Sequence, residues 1–173
     1  MVAITTITLT LATKNIANGG IDSGNVYLGI CGREFRIESA IEDDDDFQRG
    51  SRWTYILGDD PPPNTLPAQS PPLIRNIHNT TEGNKNTPTI NYPLDTVSLV
   101  GPGALNFGFP VYVRLDPEDD NWALEYARCS VNPGTQNANY WVWETLMRQP
   151  DEFLWLGPRC GKYCYLGYFG KAG

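Results

Sequence analysis

Four consecutive aspartates, Asp43–Asp46, run straight into a Phe-Gln-Arg-Gly turn and a strand-like stretch, DDDDFQRGSRWTYILG. Adjacent like charges repel, so a folded chain keeps such a run in solvent or turns it toward a cation. The cation such a run would suit is a hard one, held by oxygen donors. A second acidic, glycine-rich turn, GGIDSGNVYLG at Gly19–Gly29, also feeds a strand pattern. The two turns can serve one ion only if the fold brings those strand ends together. The plainer account is that acidic turns keep a sheet protein soluble and discourage pairing at its edges.

Machinery for catalysis is sparse. His78 is the single histidine and lies between Ile77 and Asn79 in a polar stretch. No G-x-S-x-G, H-E-x-x-H or P-loop pattern occurs. A carboxylate pair, Asp116 with Glu118 or Asp120, could do acid–base work. LDPEDDN reads more simply as an exposed turn between two strands. Aromatic residues are plentiful: nine Tyr, six Phe and five Trp. Trp141 and Trp143 alternate around Val142 and therefore share one strand face, which is either core or, if exposed, a platform for sugar rings or the interfacial zone of a membrane.

Charge narrows the partners. Lys and Arg number 13 against 20 Asp and Glu, a net charge of −7. Such a surface repels nucleic-acid phosphates and, without an intervening cation, anionic lipid headgroups. No apolar run approaches the roughly 20 residues of a membrane span. The N-terminal MVAITTITLTLATKN lacks the basic start of a signal peptide, and its apolar residues alternate with threonine. A cytoplasmic location is therefore favoured, with leaderless secretion as the other route. The four cysteines are too scattered for a disulfide scaffold; they read as reduced, packed thiols, with a local Cys160–Cys164 bridge as the alternative.

Positioning these groups falls to β-structure. Ile7, Leu9 and Leu11 alternate with Thr6, Thr8 and Thr10, the period of a half-buried strand. The same period recurs at Val26/Leu28/Ile30, Phe35/Ile37, Trp53/Tyr55/Leu57, Val111/Val113/Leu115 and Trp122/Leu124/Tyr126. Strands are also expected in YWVWETL, FLWLG and KYCYLGYF, each bounded by Gly, Pro, Asn or Asp. Eight or nine short strands with no clear helix predict an all-β antiparallel sandwich of two roughly four-stranded sheets. At 173 residues the chain is read as one domain. Ten of the fourteen prolines fall from Gly58 to Pro110, which predicts a long, proline-stiffened surface insertion over about 59–96 rather than a domain linker.

Three segments in order carry a family resemblance: VYLGICGREFRIES, DDFQRGSRWTYILG and FPVYVRLDPEDDNWALEYARCSV. Together they resemble the PLAT, or lipoxygenase homology, domain, here as a stand-alone, bacterial-type member. That family's G-T-D turn before a V-Y-x-x-x-x-G strand, its N-D-F-E-R-G turn and its late strand with a buried Trp match Gly20-Ile21-Asp22, Val26–Gly32, Asp45–Gly50 and Trp122. The resemblance implies a two-sheet sandwich with calcium ligands in the two turns: the Gly20 carbonyl, Asp22, Asp45, Asp46 and Gln48. Ile21 stands in place of a threonine and Gln48 in place of a glutamate, which removes one charge from the implied set; Asp43 and Asp44 are close enough in sequence to compensate. Gly50 is expected to supply the backbone angle of its turn.

The resulting expectation is a non-catalytic, calcium-binding module that docks onto a protein or membrane-lipid partner. The loop beside the implied site, Lys14–Gly24, offers only Ile16 and Ile21 for insertion into lipid. A carbohydrate-binding sandwich using Trp141 and Trp143 is the standing alternative, and a small enzyme using a carboxylate pair comes third.

Overall fold

All nine alternating runs become strands, and one more joins them. A computed structural model describes residues 6–30, 33–37, 46–58, 73–76, 109–136, 138–144 and 153–169. In chain order the strands are β1 (Thr6–Thr13), β2 (Asn25–Ile30), β3 (Arg33–Ile37), β4 (Arg52–Gly58), β5 (Leu73–Asn76), β6 (Phe109–Asp116), β7 (Trp122–Val131), β8 (Asn139–Glu144), β9 (Leu154–Leu156) and β10 (Tyr163–Phe169). No helix occurs among the described residues. The fold is an all-β sandwich of two sheets, antiparallel but for one edge pair, as the alternation predicts.

One sheet has the order β10-β6-β2-β3, antiparallel throughout. The other is built on an antiparallel path β4-β1-β7-β8, to which β9 adds beside the start of β7 and β5 adds outside β4. The β4–β5 pair is parallel, Trp53 facing Leu73 and Ile56 facing Asn76. The proline-rich insertion therefore contributes an edge strand and is not wholly a surface loop. A parallel partner needs a long connection to return in the same direction, and the proline-rich stretch after Gly58 provides one. Its single histidine, His78, lies outside the described residues.

The core lies between the sheets. Ile7, Leu9 and Leu11 of β1 join Tyr55 and Leu57 of β4, and they face Val26, Leu28 and Ile30 of β2 and Val111, Val113 and Leu115 of β6. Each such side chain contributes about 1.5–3 kcal/mol when removed from water. The threonine face of β1 departs from the half-buried expectation, since all eight of its residues are buried. β1 is flanked on both sides, by β4 and β7. Its hydroxyls find partners there: Thr10 Oγ1 lies 2.7 Å from Thr54 Oγ1, and Thr8 hydrogen-bonds Ser130. Paired hydroxyls remove the desolvation cost that would otherwise keep threonine in water.

The alternation in β7 also breaks. Along the β1–β7 pairing, Ala12 faces Tyr126 but Thr13 faces Leu124, so Glu125 is an extra residue in a β-bulge. Trp122 and Leu124 belong to the core before the bulge, and Ala127, Cys129 and Val131 belong to it after. Tyr126, expected on the Trp122 face, is turned to the other side, where the Arg52 guanidinium sits 4.4 Å from its ring centroid. Cys129, Cys160 and Cys164 are free thiols, so the Cys160–Cys164 bridge is not formed. Burial pushes the Cys164 thiol up to about 12, which keeps it protonated and inert at neutral pH.

Candidate functional site at one end of the sandwich

Phe47 is the pivot of the site. It follows the acidic run directly, and its ring packs edge-on against Trp122 (5.5 Å between centroids) and near Tyr55 (6.1 Å). Trp122 is fully buried, and its indole Nε1–H donates to Thr13 Oγ1 at 2.9 Å. The same Thr13 hydroxyl reaches the Phe47 carbonyl at 3.4 Å. The end of β1 then clamps the turn through its backbone: Thr13 N–H donates to Ser51 O (2.9 Å), and Gly50 N–H donates to Thr13 O (3.0 Å). Gly50 has φ +74°, a left-handed conformation that glycine adopts without strain, as the turn reading predicted. The phenylalanine of the turn and the late tryptophan are thus two halves of one packing unit.

The glycine-rich turn closes onto this unit. Ile21 N–H donates to the Phe47 carbonyl at 3.2 Å. Gly20 lies so close to the second turn that a Cβ there would fall 2.9 Å from Arg49 N and 3.1 Å from Phe47 O. Only glycine admits that approach. A third loop, between β6 and β7, seals the other side: Asp120 Oδ2 accepts from Asp22 N–H, and Asp120 Oδ1 accepts from Asn121 N–H, both at 2.7 Å. Ala123 N–H donates to Gly19 O at 2.9 Å. Lys14, at the head of the first loop, pairs with the bulged Glu125 at 2.8 Å.

The implied metal ligands can now be placed. The backbones of Gly20 and of the Asp46–Gly50 turn are in direct contact. Asp46 is buried, at 6% exposure, and its carbonyl accepts from Ser51 Oγ at 3.1 Å. Asp22 is exposed, whereas Gly20 and Gln48 are half-buried. Asp45, with Asp43 and Asp44, lies outside the described residues. Among the described residues no three His, Cys, Asp or Glu side chains form a metal-holding group. By type the implied donors are all hard oxygens, which fits calcium and not a softer metal. Ile21 is a core residue and not a side chain offered to lipid.

The carboxylates of the β6–β7 turn take different places. Asp116, Glu118 and Asp119 are exposed, as a turn requires. Asp120 caps backbone amides with both oxygens, a structural task. Sequence reasoning missed Asp120 and Thr13 as the ties between loops, because each acts across a gap of about a hundred residues or more, to Asp22 and Trp122 respectively. Trp141 and Trp143 stand in register with Cys129 and Ala127; their side chains lie outside the described residues.

No family model, curated protein sequence or solved structure matches the chain.

Proposed function

We propose that this chain is a non-catalytic, PLAT-like module that binds calcium where the Gly19–Asp22 and Asp46–Gly50 turns meet, and that docks onto a partner through that end. The observation that supports it most is the hydrogen bond from Ile21 N–H to the Phe47 carbonyl, which joins the two acidic turns at one place. The Gly20 carbonyl and the side chains of Asp22, Asp45, Asp46 and Gln48 would hold the ion. A bound divalent cation would offset the crowding of negative charge and order the turns that carry it. Of the two partner classes, protein is favoured over lipid. Ile21 is committed to the core, which leaves half-buried Ile16 as the loop's one isoleucine for lipid, and the net −7 chain is repelled by anionic headgroups. No helix among the described residues is long and apolar enough to cross a membrane.

The test is a thermal melt in millimolar calcium against excess chelator, at physiological ionic strength. An ion that binds only the folded chain stabilises it by about 2.7 kcal/mol at a hundred times its dissociation constant. For a domain of this size that means a rise of several degrees. Asp46→Asn should abolish most of the rise and be neutral or slightly stabilising in chelator. A wild-type melt indifferent to calcium removes the site.

A further inference from the structure

The opposite kind of surface lies on the outer face of the β10-β6-β2-β3 sheet. Tyr163 and Tyr165 are 45% and 60% exposed and are the exposed large apolar side chains among the described residues. Cys164 between them is buried, so the two tyrosines share the solvent face. Their rings are nearly parallel, at 14°, with centroids 5.8 Å apart. Tyr112 of β6, paired in register with Tyr165, meets both edge-on at 5.3 and 5.8 Å.

That arrangement is held rigidly. The Tyr112 ring lies across Gly29 of β2, where a Cβ would fall 2.1 Å from its Cζ, and its hydroxyl donates to Glu34 Oε1 at 2.9 Å. Arg114 grips the same carboxylate with two bonds of 2.7 Å and stacks 4.2 Å from the Tyr27 ring centroid. Side chains already fixed before a ligand arrives lose little freedom on binding.

We propose that this face, with Tyr163 and Tyr165 as stacking rings, binds an uncharged polysaccharide. Charge selects the ligand. Glu34 pairs with Arg114, and Asp116 lies 3.6 Å from Arg114 and 3.9 Å from Lys162, so these two acids and two bases offset one another; Arg36 of β3, opposite Tyr27, is a further base on this face. A phosphate polymer or an anionic membrane meets carboxylates beside the bases here, and the net −7 chain repels it. Size selects as well. Two tyrosine side chains offer on the order of 300–500 Å² even when fully covered, well below the roughly 800 Å² per partner of a stable protein interface. A sugar ring is small, apolar on its C–H face and rimmed with hydroxyls. It matches an exposed phenol ring beside carboxylate, guanidinium and hydroxyl groups that can hydrogen-bond. This surface is independent of the calcium site, and its ligand should bind in chelator.

Native affinity electrophoresis through gels containing hydroxyethylcellulose, xyloglucan or galactomannan, run in chelator, tests the inference. At least one polymer should retard the wild-type chain. Tyr165→Ala should weaken that binding tenfold or more and Tyr163→Ala several-fold, while Tyr165→Phe, which keeps the ring, should retain most of it. Melting temperatures of the variants should match wild type, since both side chains are exposed. The inference is overturned if no polymer retards the wild type, or if the double alanine variant is retarded equally. Retardation only by a polyanion such as heparin, lost in salt, also overturns it.

Discussion

The loop end and the tyrosine face both hold polar groups in place, but by different means. At the loop end three separate turns are tied backbone to backbone and converge on one aromatic pair, Phe47 and Trp122. On the tyrosine face the groups stand on neighbouring strands already in register, and side chains lock one another: Tyr112 to Glu34, Glu34 to Arg114, Arg114 over Tyr27. Order at the loop end is therefore borrowed from the core, so damage beneath it should spread. Order on the sheet face is local, so damage there should stay put.

The strongest way to break this comparison is Trp122→Ala. Removing a fully buried indole should cost about 3–5 kcal/mol in denaturant unfolding. Native-state hydrogen exchange should show the Ile21 and Gly50 amides losing protection, while strand amides of β2 and β6 lose only what global destabilisation demands. Selective loss at both regions would mean that they are not separate. Gly50→Ala comes next. Its φ of +74° should make alanine cost about 1–2 kcal/mol, with binding on the tyrosine face unchanged; a Tm equal to wild type would show that the turn adapts freely.

The smallest effect sharpens the other side. Hydrogen bonds from Arg114 hold the Glu34 carboxyl below its ordinary range. A carboxyl lowered in the folded state contributes stability above its unfolded pKa and loses it as pH falls through the folded one. Wild type should therefore exceed Glu34→Gln by about 0.5 kcal/mol at neutral pH, what a solvent-screened pair returns, and the gap should close in acid. Burial, aided by Glu34, also pushes the Tyr112 phenol up to about 12. Alkaline titration of phenolate absorbance should thus show a late tyrosine in wild type that ionises earlier in Glu34→Gln. A gap that persists in acid would assign Glu34 a role in packing instead.

Much of this was legible in the chain. Period-two alternation located nine of the ten strands, because a strand between core and solvent writes its two faces into the sequence. β5 was hidden, since LIRN is too short to show a period and sits among prolines. KYCY alternates as well, but with one face set by a cysteine and the other by tyrosines the pattern does not say which faces water.

What the sequence determined alone is what depends on neighbours along the chain: strand periods, the demand for glycine at the second turn, and the acidic balance that repels phosphate. Tertiary structure decided whatever depends on distant partners. It buried the threonine face of β1 by flanking that strand on both sides, turned Tyr126 away through a bulge set by Glu125, and brought Gly20 against Arg49. It also left Tyr163 and Tyr165 uncovered. Burial and contact are properties of what packs against a residue, and in a sandwich those neighbours come from strands far apart in the chain, which no local pattern encodes.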